Sequence, residues 1–124
     1  MKAGHSTLKP PLALIFGGET VVTLNGDGLG GRNQEMALSA ALEIDGVEDI
    51  TVIAFGSDGT DGPTDAAGGF VDGSTISKIR KAGMDPLNEL SNNNSYYSLL
   101  EAGSLLVTGP TGTNLNDVYI AIIK

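Results

Sequence analysis

Short apolar runs, each stopped by a turn-forming residue, recur along most of the chain. Runs of this length bounded by glycine, asparagine or serine are typical of β-strands. The pattern predicts five strands, at residues 12–16, 21–24, 50–55, 104–107 and 118–123.

Between these runs the apolar positions change to helical spacing. The clearest case predicts a helix over 33–44, preceded by Gly30-Gly31 and followed by Asp45-Gly46, and shorter helices are predicted at 74–82 and 95–102. Strands that alternate with helices indicate an α/β layered domain. We therefore expect a mixed, mainly parallel β-sheet flanked by helices, with a hairpin formed by the first two strands.

The first eleven residues lack periodicity and end in Lys9-Pro10-Pro11, which is typical of a linker. We interpret residues 1–11 as a linker from a missing amino-terminal domain and residues 12–124 as one domain. With 124 residues and 40% apolar content, the chain can build a single core.

Fifteen acidic and seven basic residues give a formal net charge of −8, which opposes binding to nucleic acids and anionic membranes. We expect neither as a partner. No signal-like or membrane-spanning apolar run is present, so a cytoplasmic protein is expected. The absence of cysteine excludes disulfides and thiol catalysis. An anionic substrate would need local positive charge or a metal ion.

Three glycine-rich loops next to predicted strands are candidates for chemistry. In the first, the N–H groups at the start of the helix at 33–44 and the guanidinium of Arg32 suit a phosphate or carboxylate. The alternative is that Arg32 is a solvated residue at the helix entry. This loop also satisfies the G-x-G-x-x-G spacing of dinucleotide sites, a spacing that arises easily by chance among 18 glycines.

The second loop carries Asp58, Asp61 and Asp65 after a buried strand. These carboxylates suit a Mg²⁺ site or the acceptance of a hydroxyl proton. Aspartates in such loops also commonly form Asx turns and caps.

The third loop, Thr108 to Asn114, offers hydroxyls and open backbone N–H groups for phosphate oxygens, or is an ordinary turn. It contains no lysine, and no Gly-Lys dipeptide exists for a Walker A loop. Glu19, after Gly17-Gly18, is either a site carboxylate or a solvated hairpin residue.

Four longer stretches extend this interpretation: Gly17 to Thr20, Gly30 to Glu35, Ser57 to Gly68 and Thr108 to Asn114. In this order they resemble the signature stretches of the MOFRL family, the carboxy-terminal domain of class II glycerate kinases, often labelled hydroxypyruvate reductases. The resemblance implies that D-glycerate and ATP bind between this domain and a larger Rossmann-like amino-terminal domain, which carries the family's catalytic lysine.

The resemblance also implies roles for individual residues. The expected catalytic set is Arg32, Asp58 and Asp61. A loop aspartate is expected to bind Mg²⁺ or to orient the hydroxyl, and which of Asp58, Asp61 and Asp65 binds the metal stays open. The residues expected to bind substrate or nucleotide are Glu19, Gly30, Gly31, Asn33, Thr111, Thr113 and Asn114.

Two other functions stay open from the sequence. One is a non-catalytic module that binds a small anionic metabolite, and the other is an NAD(P)H-dependent hydroxypyruvate reductase. The phosphorylated hydroxyl and the oligomeric state, a homo-oligomer included, are also open.

Overall fold

The structure, a computed structural model, describes residues 10–18, 26, 28–113 and 116–124. Its elements in chain order are β1 (Leu12–Gly18), α1 (Arg32–Glu43), β2 (Ile50–Gly56), β3 (Gly68–Asp72), α2 (Thr75–Lys81), α3 (Pro86–Ser91), α4 (Ser95–Glu101), β4 (Leu105–Leu106) and β5 (Asp117–Ile123).

Most of the predicted elements are confirmed. The helices expected at 33–44, 74–82 and 95–102 are α1, α2 and α4, and four of the five predicted strands are β1, β2, β4 and β5. Strand β3 and helix α3 were not predicted. The strand and hairpin expected at 21–24 lie outside the described residues.

The prediction of a mainly parallel sheet is wrong, although the α/β layered class is right. The described strands lie in the order β1-β5-β2-β3-β4, and every neighbouring pair is antiparallel. Strands β1 and β2 run in the same direction and are joined through α1, as in a parallel unit. However, β5 pairs with both of them and separates them, so no parallel neighbours remain.

The helices of the described ranges lie on one side of the sheet: α1 and α4 contact the strands, and α2 and α3 pack against these two helices. Small side chains of α1 and β2, such as Ala37, Ala41 and Ala54, are fully buried and allow the helix to approach the sheet closely. Larger side chains from α2 and α4, including Ile79 and Leu99, complete the same core. None of the helices in the described ranges is long and apolar enough to cross a membrane.

The opposite face, here called the outer sheet face, is largely apolar and carries none of the described helices. Four side chains form a row across it in register: Ile15, Ile120, Ile53 and Phe70. Ile15 is 69% exposed and Phe70 is 40% exposed. Such a continuous apolar face is typical of an interaction surface.

At one end of the sheet, here called the glycine end, β1 and β2 finish and β5 begins. The first residue of β5, Asp117, is paired with Gly18 on one side and Gly56 on the other. At the far end of the sheet lies a cavity of about 430 Å³, lined by residues 46–51 and 72–74 and by Lys124.

Candidate functional site

Two of the predicted loops and the start of α1 meet at the glycine end. The aspartate loop, residues 57–67, connects β2 to β3, and the threonine loop, residues 107–116, leads from β4 to β5. Because β2 ends and β5 begins side by side, the two loops leave the sheet next to one another.

Arg32 and Asp117 form the central ion pair of this region. The Nε atom of Arg32 donates to Oδ2 of Asp117 at 2.6 Å, and Nη2 donates to Oδ1 at 2.9 Å. Arg32 keeps 40% of its side chain exposed, whereas the side chain of Asp117 is only 1% exposed. The hydrogen bond to Asp117 raises the pKa of Arg32 further above its ordinary value, so the guanidinium stays charged.

Asp61 lies at the amino end of α1 and caps it. Its Oδ1 accepts from the backbone N–H of Asn33 at 3.0 Å, and its Oδ2 accepts from that of Gln34 at 2.8 Å. The side-chain amides of the same two residues add bonds of 3.2 and 3.0 Å to these oxygens. The anion that the sequence placed at this helix terminus is therefore a carboxylate of the chain itself.

Burial raises the pKa of Asp61 above its ordinary value, against the four N–H donors, which favour the charged form. Asp61 is 1% exposed and Asn33 is fully buried. The side-chain amide of Asn33 also donates to Oδ1 of Asp117 at 3.1 Å, so it connects both buried carboxylates. These three side chains form one network beneath the exposed guanidinium.

The glycines before α1 are required by close packing. A Cβ on Gly31 would lie 2.5 Å from Cγ of Asp61, and one on Gly30 would overlap Oγ of Ser95. The same holds for Gly26 and Gly28, whose Cβ positions fall on the turn at 92–94. The described glycines of the G-x-G-x-x-G stretch are therefore packed against protein atoms and leave no space for a dinucleotide at these positions.

Asp58 is the partly exposed carboxylate of the aspartate loop. Its Oδ1 accepts from the backbone N–H of Thr60 at 3.0 Å and from the Thr60 hydroxyl at 3.1 Å. These bonds, aided by the positive charge of Arg32, lower the pKa of Asp58 below its ordinary value. The side chain is therefore a charged, accessible acceptor at neutral pH.

The threonine loop is tied to the aspartate loop through Ser57 and Asp58. The hydroxyls of Thr111 and Thr113 lie 2.5 and 2.8 Å from the carbonyl oxygen of Ser57. The N–H of Thr111 donates to the carbonyl of Asp58 at 3.3 Å. Both hydroxyls thus face the neighbouring loop, and most of residues 107–113 are exposed, so a ligand can reach this described part of the threonine loop.

The three predicted metal ligands do not converge. Asp61 is enclosed by N–H donors, and Oδ1 of Asp65 accepts from the hydroxyl of Tyr96 at 2.8 Å. Within the part of the chain that the structure describes, no group of three or more His, Asp or Glu side chains is placed to hold a metal ion. Glu19 and Asn114, also predicted to bind ligands, lie outside the described residues.

A second polar contact, which is partly buried, supports the loop before α1. The side-chain amide of Asn93 donates to both oxygens of Glu35, at 3.0 and 3.1 Å, and its Oδ1 accepts from the N–H of Gly26 at 3.0 Å. Burial raises the pKa of Glu35, although the amide of Asn93 acts in the opposite direction. Glu35 and Asn93 therefore fix the approach of the chain to α1.

Sequence reasoning missed Asp117, the partner of Arg32. One signal for it exists, since Asp117 is a lone acidic residue at the start of the apolar run 118–123. Its partner is 85 positions away in the chain, and local patterns do not show that pairing.

Comparisons with a family profile, with curated relatives and with solved structures agree with one another. The MOFRL family profile matches residues 12–117. D-glycerate 2-kinase of Thermotoga maritima is 60% identical over 116 residues, which cover 94% of this chain and 28% of that protein. Glycerate 2-kinase of Pyrococcus horikoshii is 55% identical over 116 residues, covering 93% of this chain and 26% of the relative.

A crystal structure of glycerate kinase from Thermotoga maritima matches the fold with a TM-score of 0.95 and 57% identity. The match covers 99% of this chain and 30% of the crystallised one. The chain thus spans less than a third of the length of these relatives.

Proposed function

The chain belongs to the MOFRL family, and we propose that it forms the carboxy-terminal part of a glycerate kinase, contributing one wall of the site where ATP phosphorylates D-glycerate. The observation that carries this proposal is the exposed guanidinium of Arg32, anchored by buried Asp117 at the glycine end. A guanidinium fixed in this way suits carboxylate and phosphoryl oxygens.

Charge argues that the described residues form only part of the site. Arg32 is close to three carboxylates, those of Asp58, Asp61 and Asp117, so the local charge is net negative. Glycerate and ATP are both anions and need positive charge around the transferred group. The remaining positive charge, including the lysine that the family resemblance implies, then comes from the amino-terminal domain.

ATP and Mg²⁺ fit the residues at the glycine end in part. Mg²⁺ in phosphoryl-transfer sites is commonly held by one or two carboxylates together with substrate phosphates. Asp58 fits that role because it is charged and accessible, whereas Asp61 has both oxygens engaged and is better suited to position α1. When bound, Mg²⁺ would neutralise negative charge on the phosphates.

The threonine loop is the proposed contact for the nucleotide phosphates. Gly109 and Gly112 adopt positive φ angles of 71° and 77°, and no atom of the described residues lies within 4 Å of a Cβ built on either. A phosphate can therefore approach the backbone N–H groups of Gly109 and Gly112 without a described side chain in the way.

The outer sheet face is the proposed docking surface for the rest of the polypeptide. The row through Ile15 and Phe70 is apolar, and more than two thirds of the crystallised relative lies outside the matched region. A layer of the same chain packed there would bury this face, as helices cover both faces of many α/β sheets.

The test is an assay of ADP formation from ATP and D-glycerate with the complete protein. Arg32→Ala should lower kcat/KM by about 1,000-fold, because an N–H donor to the transition state is lost. Arg80→Ala is the matched control, since Arg80 is 60% exposed and pairs with Asp45 at 3.5 Å on the surface. Full activity of Arg32→Ala would contradict the proposal.

Residues 12–124 alone should show no turnover, and phosphorylation of D-glycerate by this fragment would overturn the view that it forms one wall only. Because the two relatives above are named 2-kinases, we propose 2-phosphoglycerate as the product, which NMR of the reaction mixture distinguishes from 3-phosphoglycerate.

A further inference from the structure

Asp117 occupies an unusual place in the sheet. It begins β5 between two glycines, Gly18 and Gly56, which have no side chains to fill the space beside it. Its carboxylate is 1% exposed and faces the amino end of α1. A buried charge is costly unless it is paired. We therefore expect the hydrogen bonds to this carboxylate to hold its partners in fixed positions.

Two hydrogen bonds to Asp117 hold the guanidinium of Arg32 at two of its atoms. Both Nε and Nη2 are used, at 2.6 and 2.9 Å, and this two-point contact fixes the plane of the group. Asn33 donates to Oδ1 at 3.1 Å and so holds the carboxylate in turn. Among the described residues, none accepts a hydrogen bond from Nη1 of Arg32, which is therefore the edge that a ligand can meet.

We propose that Asp117 is a positioning residue for the glycerate kinase reaction: through its two-point contact it orients Arg32 so that the Nη1 edge meets an anionic oxygen of the reacting group. This inference rests on the proposed function. Asp117 then has two opposing effects. It orients Arg32 for the reaction, and its negative charge next to Arg32 disfavours an anionic substrate.

The geometric and electrostatic effects predict opposite kinetic changes when Asp117 is replaced. Asp117→Asn removes a negative charge next to Arg32, so an electrostatic role alone predicts tighter binding of anionic substrates. Positioning predicts the reverse for catalysis, because a misplaced reacting contact costs rate even when binding remains. We expect Asp117→Asn to lower kcat by about 100-fold with little change in the KM for D-glycerate.

The experiment is a double-mutant cycle in the complete protein, using Asp117→Asn, Arg32→Ala and the combined variant. If Asp117 acts through Arg32, the combined variant is no slower than Arg32→Ala alone. Additive losses in kcat, or a higher kcat/KM in Asp117→Asn, would overturn the proposal. Asp45→Asn, which removes the carboxylate from the surface pair with Arg80, is the matched control and should leave the kinetics unchanged.

A second measurement separates this inference from the kinase proposal. The protein is labelled with ¹⁵N-arginine, and the Nε–H signal of Arg32 is assigned by its loss in Arg32→Lys. This proton should exchange slowly with solvent. Asp117→Asn should speed its exchange at least 10-fold. Fast exchange in the wild type would refute the positioning role even in an active kinase. Slow exchange without D-glycerate phosphorylation would instead refute the kinase proposal. Thermal unfolding of Asp117→Asn shows whether a kinetic loss reflects unfolding.

Discussion

The lowered pKa of Asp58 comes mainly from one neighbouring residue. Thr60 donates two hydrogen bonds to Oδ1, from its backbone and from its hydroxyl, and both favour the ionised carboxylate. The stabilisation that these bonds provide is present above the pKa of the unfolded chain, and it is lost as the pH falls through the lower pKa of the folded state.

Thr60→Val should therefore raise the pKa of Asp58 towards its ordinary value, because the hydroxyl donor is lost while the backbone donor remains. Carboxyl ¹³C shifts followed by NMR titration measure this change. Thr51→Val, in β2 near the opposite end of the sheet, is the control and should leave the titration of Asp58 unaltered. An unchanged pKa in Thr60→Val would show that the backbone bond alone sets it.

At the scale of elements, α1 depends on a cap that comes from another part of the chain. Asp61 lies 28 and 27 positions from the two N–H groups that it accepts. Helix α3 has the ordinary arrangement, in which Asp85 precedes the helix and accepts from the N–H of Leu87 at 3.2 Å. The two aspartates allow a direct comparison of a buried cap with an exposed one.

Asp61→Ala should lower the free energy of unfolding by about 3 kcal/mol, because several buried N–H donors lose their acceptor. Asp85→Ala should cost about 1 kcal/mol, the usual loss for an exposed cap. Urea denaturation of both variants provides the comparison. Equal losses would mean that water replaces the Asp61 carboxylate at the amino end of α1.

Local elements were predictable because their signals are local. The apolar spacing of 33–44 and the run at 50–55 were enough for α1 and β2. The order of the strands in the sheet was not predictable. The last strand, β5, inserts between β1 and β2, and no local pattern encodes this pairing. Strand β3 was missed because its first two residues are Gly68 and Gly69, which resemble a turn.

The candidate site was predictable to a similar extent. Glycine loops located Arg32, Asp58 and Asp61, and the structure places all three at one end of the sheet. Their different surroundings were not predictable, because the burial of Asp61 and the exposure of Asp58 depend on packing between distant segments. The structure therefore adds a distinction that the sequence does not contain, between the accessible carboxylate of Asp58 and the capping carboxylate of Asp61.

At the scale of the whole molecule, the outer sheet face governs how the isolated chain should behave. Ile15→Glu should reduce both the binding of a hydrophobic dye and concentration-dependent self-association of residues 12–124, because it places a charge within the apolar row. Leu87→Glu is the matched control, since Leu87 is 62% exposed on α3, away from this face. Sedimentation velocity and dye fluorescence measure the two effects, and equal behaviour of both variants would count against a docking role.

The position of β5 also has a consequence for how the domain is made. This strand follows all the other described elements in the sequence, yet it lies between β1 and β2 and supplies Asp117. During synthesis β1 and β2 emerge long before the strand that joins them, so the sheet cannot close until β5 has left the ribosome. A premature stop after residue 116 would therefore divide the sheet and remove the anchor of Arg32. Chaperones would bind the truncated chain or proteases would degrade it.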